Sequence, residues 1–484
     1  MNWHDQKILV LGAGDTGLSV VRWGQRVGAR VRLADSRNPE AIASSVDYLQ
    51  RNFPDVECCF GPWSAARFDE WTSHAELIVA SPGVAVAGPA CDPAIARAIA
   101  QGKKIVGDIE LFALHQNSLI EKNGKKPKVI GITGSNGKST VTAMAGAMCA
   151  AAGLKTVVAG NIGLPVLDAL ASAAVAGEPD VYVLELSSFQ LETTYSLHLD
   201  AAAMLNLSQD HLDRYRLMDD YAKAKKRIFA HADYQVLNRE DLASMKMRLA
   251  DRSVATFGTD AAPTSNDFGL NQHALSAGEE TLLSVDAMPI AGLHNAANAL
   301  AAFALCRAVS ADTTKLIEGL KGFKGLPHRL EKVGIINGVT FYDDSKGTNV
   351  GSTVAALNGM TVPVILIAGG EGKAQDFSPL AEPIRKRAKV VVLIGKDARS
   401  IESAITSARV TSIHAVTMAD AVESAYLQAS PGDAVLLSPA CASFDMFKNY
   451  KHRGDVFAQS VHALKNKIDS ADTAAFTSEV RDAV

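Results

Sequence analysis

Val129-Ile130-Gly131-Ile132-Thr133-Gly134-Ser135-Asn136-Gly137-Lys138-Ser139-Thr140 decides the fold. A short apolar run, a glycine-rich turn and an alanine-rich helical pattern make a strand–loop–helix unit. The spacing departs from G-x-x-x-x-G-K-[ST], because Ile132 stands five residues before Gly137, but the Gly-Lys-Ser core is intact. Backbone N–H groups of such a loop cradle phosphates, Lys138 would reach the β- and γ-oxygens, and Ser139 would bind Mg²⁺. Mg²⁺ takes oxygen ligands. The apolar run 181–184 ends in Glu185, where the acidic ligand of such a unit emerges. Asp210-His211 follows another apolar run, at 202–207. A strand-end histidine is by itself more often structural; its place in the same unit as Lys138 and Glu185 favours a ligand.

Outward from this stretch, short apolar runs alternate with helical patterns. Strands are expected at 7–11, 31–34, 77–80 and 104–106, then at 129–132, 157–159, 181–184 and 202–205, and, beyond Gly325-Leu326-Pro327, at 339–342, 364–368, 390–394 and 434–437. That alternation predicts parallel sheets. Residues 116–128 are polar and lysine-rich, with Asn123-Gly124 and Pro127, and read as a linker. Residues 260–290 alternate and are rich in turn formers, which predicts antiparallel hairpins before a helix over 296–306. The last 18 or so residues are expected to fray. The fold class is α/β with three domains. Residues 1–117 are expected to form an N-terminal Rossmann-like domain, 118–325 a central phosphate-loop (P-loop) ATP-binding domain with a mostly parallel sheet, and 326–484 a C-terminal Rossmann-like domain.

Composition agrees. The 484 residues carry 48 Lys+Arg against 52 Asp+Glu, a formal charge of −4. That balance argues against a general nucleic-acid binder and gives no reason to expect a membrane partner. Aromatics make up only 6%, so the cores are filled by Ala, Val, Leu and Ile, as suits buried parallel sheets. Six cysteines without CxxC spacing support neither a disulfide framework nor a zinc site. They read as small buried hydrophobes in a reducing compartment. The N-terminus has no apolar signal core, and the apolar stretch 143–154 is shorter than the ~18 residues of a membrane span. A cytoplasmic protein is expected.

A second glycine loop, Gly12-Ala13-Gly14-Asp15-Thr16-Gly17, matches G-x-G-x-x-G between a strand and a helix, and Asp35 ends the next strand. Taken alone this suggests NAD and an oxidoreductase. The physics is less specific: close backbone approach and a helix N-terminus suit any nucleoside diphosphate.

The motifs make a recognisable set. Thr133–140, Gly160-Asn161, Glu185 through Gln190, Asp210-His211-Leu212-Asp213-Arg214, Gly292-Leu293-His294-Asn295-Ala296-Ala297-Asn298, Pro327-His328-Arg329 and Asp344-Ser345-Lys346 occur in the order seen in the Mur ligases. The chain resembles that family over nearly its whole length. Leu186-Ser187-Ser188-Phe189-Gln190 and Asp344-Ser345-Lys346-Gly347-Thr348-Asn349 point to the branch that adds D-glutamate to UDP-N-acetylmuramoyl-L-alanine in peptidoglycan synthesis.

The resemblance implies that the N-terminal domain binds UDP rather than NAD. The substrate would lie on Gly14, Asp15, Thr16, Asp35, Ser36, Arg37, Ser81, Gly83, Asn161, Ser187 and Gln190. It implies ATP on Gly134, Ser135, Asn136, Gly137, Lys138, Ser139, Thr140, Asn295, Asn298, Arg329 and Asp344. Two Mg²⁺ ions would be held by Ser139, Glu185, His211 and a carbamylated Lys225. Lys223 and Lys226 are close by, and sequence alone does not choose among the three; the family register favours Lys225. Lys138, His211, Lys225 and Asn161 would be catalytic. Lys346, Thr348, Lys373, Ser443 and Tyr450 would receive D-glutamate. Gly347 stands where the family commonly has alanine, which would loosen that turn. The implied enzyme is a monomer whose domains close over small-molecule substrates. The oxidoreductase alternative leaves the Lys138 loop, Glu185 and the third domain without a role.

Overall fold

Parallel pairing of strands buried on both faces organises the chain into three sheets. The structure, a computed structural model, describes residues 3–124, 126–212, 214–290, 292–310 and 312–482. The first sheet runs in the order Glu57–Phe60, Arg30–Asp35, Lys7–Leu11, Leu77–Ala80, Ile105–Val106, all parallel. Its strand order reverses between Lys7–Leu11 and Leu77–Ala80, where Leu11 pairs with Ala80. The Gly12 and Ser81 loops therefore emerge side by side at a topological switch point, the usual ligand position in such sheets.

In the nine-stranded second sheet, Lys128–Thr133 lies between Ala201–Met204 and Val181–Glu185. Ile132 is in register with Glu185. The phosphate loop and the carboxylate thus leave the same edge. At the far side Phe268–Asn271, Ala274–Ala277 and Glu280–Ser284 pair antiparallel, as expected for 260–290. The third sheet starts with Glu331–Ile336 antiparallel to Val339–Asp343. It continues in parallel through Ala434–Leu437, Val364–Gly369, Ala388–Ile394 and Thr411–His414.

Contacts divide the chain into two units. The first, Met1–Leu207, Asp213–Pro289 and Ala296–Phe323, holds the first two sheets; the second, Ser208–Leu212, Ile290–Asn295 and Lys324–Val484, holds the third. Within the first unit the sheets share one apolar core, and Arg22 on the first helix grips Asp168 through Nε (2.8 Å) and Nη2 (2.5 Å).

Two expectations fail. The linker at 116–128 is largely the end of a helix, Asp108–Asn123, which stops at left-handed Gly124 (φ 67°). Its polar residues belong to a helix terminus, and only the Asn-Gly pair marks a true break. The final stretch is not a frayed tail either, since the helix Tyr450–Asp482 takes in most of it, while 483–484 lie outside the described residues. Cys59, Cys149, Cys306 and Cys441 are buried, whereas Cys58 and Cys91 are only partly so. Among the described residues no helix is long and apolar enough to cross a membrane.

Candidate active site

The phosphate loop is built by a close approach that only glycine allows. Gly137 (φ 85°) begins the helix Lys138–Ala151, and a Cβ there would lie 2.6 Å from the Asn298 Oδ1. Asn136 is fixed from the loop after the neighbouring strand Ala201–Met204: its N–H donates to Asn206 Oδ1 (2.8 Å), and its carbonyl accepts from Asn206 Nδ2 (3.1 Å). Lys138 Nζ folds back to donate to the carbonyls of Gly134 (2.8 Å) and Ser135 (3.0 Å). Ser139 and Thr140 are buried in the first turn.

Lys225 reaches the same carbonyl. Its Nζ donates to Gly134 O (2.7 Å) and lies 4.6 Å from the centroid of the Tyr221 ring. Lys225 is 1% exposed, whereas Lys223 and Lys226 are exposed, so of the three lysines it is the one on the loop. Glu185 is 2% exposed. Its Oε1 accepts from Asn161 Nδ2 (2.8 Å), and its Oε2 is buried without a hydrogen-bond partner. An orphaned buried carboxylate oxygen carries a large desolvation cost unless a cation joins it. The hard oxygens of Glu185 and Ser139 fit Mg²⁺.

Of the residues expected to hold UDP, Gly14, Asp15, Thr16, Asp35, Ser36, Arg37, Ser81 and Gly83 lie at the first switch point, whereas Asn161, Ser187 and Gln190 lie at the second sheet. Gly17 packs against the loop so closely that a Cβ would overlap Gly12 O, while Gly14 and Gly83 face open space. Ser81 Oγ donates to Gly12 O (3.1 Å). Asp35 is buried and saturated. Oδ2 accepts from Ala13 N (2.7 Å) and Arg37 Nη2 (2.7 Å), and Oδ1 accepts from the N–H (2.9 Å) and Nε (2.9 Å) of Arg37. Burial alone would raise its carboxyl pKa; the Arg37 guanidinium and the two backbone N–H groups more than offset this and hold it below the ordinary value. Asp15, Ser36 and the Arg37 side chain stay exposed, and Thr16 is half-buried. Ser187 and Gln190 cap the helix Ser188–Glu192 through each other.

His211 belongs with the second unit. It adopts a left-handed backbone (φ 56°) beside Asp210, which also accepts from Asn349 Nδ2 (3.2 Å) and pairs with Lys373 Nζ (3.5 Å). In the same unit, Asp344 is buried with Oδ2 accepting from Ser438 Oγ (2.7 Å). Burial pushes its carboxyl up to about 7, against the pull of Ser438 and Arg329. Asn295 and Ser443 are buried, Arg329 and Thr348 half-buried. Lys346 Nζ lies 4.0 Å from the Tyr450 ring centroid. Gly347 tightens this turn rather than loosening it: a Cβ there would stand 2.7 Å from Asp344 Oδ2.

Sequence reasoning gave no role to Arg453, which is 0% exposed. It donates to Ser345 Oγ (3.0 Å), Ser345 O (2.8 Å), Cys441 O (3.1 Å) and Ala442 O (3.3 Å). Arg453 therefore splints the loop bearing Asp344 and Lys346 to the one bearing Ser443. His328 was quoted only as part of a motif. Its Nδ1 stands 2.7 Å from Asp343 Oδ2, next to the same loop.

Comparison with known proteins follows this geometry. Three family profiles match in succession: the MurD-like N-terminal domain of Mur ligases at residues 6–107, the Mur ligase middle domain at 132–306, and the Mur ligase glutamate ligase domain at 328–441. The UDP-N-acetylmuramoylalanine–D-glutamate ligase of Methylobacillus flagellatus is 52% identical over 96% of this chain and 99% of its own length. The protein of that name from Thiobacillus denitrificans is 53% identical over 95% and 96%. Among solved structures, the UDP-N-acetylmuramate–alanine ligase MurC of Thermotoga maritima shares the fold, with a TM-score of 0.57 at 18% identity, covering 96% of this chain and all of that one. The chain belongs to the UDP-N-acetylmuramoylalanine–D-glutamate ligase family of Mur ligases.

Proposed function

We propose that the chain joins D-glutamate to UDP-N-acetylmuramoyl-L-alanine, with cleavage of ATP to ADP and phosphate, as a cytoplasmic monomer. The observation that carries this is the convergence of Lys138 and Lys225 on Gly134, at the sheet edge where Glu185 keeps an unpartnered oxygen. A carboxylate is a poor acyl donor, because its leaving group would be oxide. Transfer of the γ-phosphoryl group to the alanyl carboxylate gives an acyl phosphate with a good leaving group. The D-glutamate amine then attacks through a tetrahedral intermediate.

Lys138 supplies fixed positive charge where negative charge gathers. Ser139, Glu185 and His211, with Lys225 as a carbamate, would hold two Mg²⁺ ions. These ions, when bound, neutralise the phosphate oxygens that meet the carboxylate. A carbamate on Lys225 suits this role, since it turns an ammonium that divalent cations repel into an anionic oxygen ligand. Asn161 orients Glu185. Asn295, Asn298, Arg329 and Asp344 would hold the nucleotide. Gly14, Asp15, Thr16, Ser36, Arg37, Ser81 and Gly83 would hold the UDP end, with Asp35 shaping the loop. Lys346, Thr348, Lys373, Ser443 and Tyr450 would receive the D-glutamate carboxylates.

The test is ADP release with UDP-N-acetylmuramoyl-L-alanine and a panel of amino acids, run with ¹⁸O in the alanyl carboxylate. D-Glutamate alone should support turnover, and one ¹⁸O should appear in inorganic phosphate. Unlabelled phosphate overturns the acyl-phosphate route, and AMP release points to adenylation. NADH turnover without ATP restores the oxidoreductase.

A further inference from the structure

A cavity in the first unit, of about 860 Å³, is lined by none of the residues assigned above. The edge strand Ile105–Val106 and its approach, the loop at 86–88 and the helix Met218–Lys226 wall it. Its charges are lopsided. Six cations, Lys103, Lys104, Arg214, Arg216, Lys223 and Arg227, line it against two carboxylates, Glu192 and Asp220. Arg214 spends its charge on Glu192 (2.6 Å) and Lys223 lies 3.9 Å from Asp220. Among the described residues the other four have no carboxylate within ion-pair distance, in a chain whose net charge is −4.

Like charges gathered around a concavity repel one another and focus a positive potential that draws anions. Arg214 adds an independent sign of a missing partner: its side chain is 7% exposed, yet its buried Nε has no hydrogen-bond partner. Between the cations lies apolar surface. The Tyr195 ring, 45% exposed, sits 5.1 Å from Arg227 Cζ and 5.8 Å from Lys104 Nζ, and Ile99 is 40% exposed. The exposed Tyr195 and Ile99 offer apolar surface to a flat body, while guanidinium forks match phosphate oxygens.

We propose that this cleft binds a small phosphorylated molecule that couples a dianionic phosphate to a flat apolar body. The cleft adjoins both loops of the candidate active site. The Met218–Lys226 helix carries Lys225 on to Gly134, and Arg214 Nη1 donates to Pro82 O (3.0 Å), inside the Ser81 loop.

1-Naphthyl phosphate is a direct probe, followed by its fluorescence on the full chain kept in saturating magnesium ADP and UDP-N-acetylmuramoyl-L-alanine. Saturable binding is expected with a Kd below about 1 mM, weakening as salt is raised, and 1-naphthol should not bind. Lys104→Glu/Arg216→Glu changes two exposed residues and should weaken the phosphate at least tenfold with an unchanged melting temperature. The matched surface pair Lys386→Glu/Arg387→Glu should leave it unchanged. Absence of saturation, equal affinity in the Lys104/Arg216 variant, equal binding of naphthol, or displacement of the probe by raising either substrate overturns the proposal. Because binding is read without turnover, failure here leaves the ligase reaction untouched, and failure of the ligase assay leaves the cleft untouched.

Discussion

The two glycine loops of the first unit share a backbone device and differ in the side chains around it. Both join a buried parallel strand to a helix whose N-terminus faces the ligand position. At Gly12–17, the acidic neighbour Asp35 is saturated by Arg37 and two backbone N–H groups. At Gly134–Thr140, two lysines meet one carbonyl, and a carboxylate oxygen lacks a partner. The first loop is electrostatically closed and suits holding a diphosphate unchanged. The second holds charge in readiness and suits moving a phosphoryl group. Backbone shape alone would have assigned both to nucleotides without distinguishing a handle from a reaction centre.

The sharpest way to break this contrast is Lys138→Ala. Loss of one preorganised donor at the transferring group should lower kcat on the order of 10²–10³-fold. Calorimetry should show UDP-substrate affinity unchanged, since Gly14 and Arg37 belong to the other loop. Near-normal ADP release in this variant would falsify the assignment of the second loop to phosphoryl transfer.

Glu185→Gln keeps the shape and an acceptor for Asn161 while removing the charge. The Mg²⁺ concentration for half-maximal activity should rise about 10–100-fold. In the same helix set, Lys225→Ala should be severe and bicarbonate-independent, with the parent regaining activity in bicarbonate after decarboxylation at low pH. Lys223→Ala and Lys226→Ala should be nearly silent. If either exposed lysine matters more than Lys225, the helix register is misassigned.

Arg37→Ala probes the closed loop. It should raise KM for the UDP-substrate by about tenfold or more, the worth of a charged hydrogen bond, with KM for ATP unmoved. It should also make stability less acid-sensitive. Asp35 has a depressed folded pKa, so it contributes stability that is present above the ordinary carboxylate range and lost as pH falls through the folded value. Without Arg37 the folded value rises toward the unfolded one, so the variant should start less stable near neutral pH and lose less on acidification in thermal melts. An unchanged melting profile below pH 5 would show that Arg37 does not hold Asp35.

How much of this was legible follows from what each residue touches. The runs at 129–132 and 181–184 read as strands because both faces are buried and nearly every residue is apolar. Glu57–Phe60 and Ser253–Phe257 did not, because Glu-Cys-Cys-Phe and Ser-Val-Ala-Thr-Phe are short and partly exposed. Lys225 had a signal that was passed over: it falls four residues after Tyr221 and four before Phe229, on the buried stripe with Ala224 and Ile228. A lysine on an apolar stripe is the one to suspect. Arg453 had none, since its partners are carbonyls and a hydroxyl on loops distant in sequence, one of them 108 residues away. Such contacts are a property of the folded chain, invisible to periodicity and spacing.

The smallest effect expected concerns Asp344, which extends the contrast into the second unit. Like Asp35 it is a buried acid at a strand end, but its hydrogen-bond partner is the Ser438 hydroxyl and its carboxyl is pushed up to about 7. The sign of the linkage is therefore opposite. Between the ordinary carboxylate value and about 7 the folded state holds a proton that the unfolded state has lost, so stability declines as pH rises through that window and levels off above it. Asp344→Asn cannot titrate and should flatten this decline: the fall in melting temperature from pH 5 to pH 7.5 should be smaller than in the parent. If magnesium ATP binds here as proposed, a ribose hydroxyl donated to the ionised carboxylate should favour the charged form and flatten the parent's profile in the same way. A parent whose melting temperature rises with pH across this window, with the variant parallel to it, would mean that Asp344 is ionised in the free protein and that both acids are held charged by their surroundings.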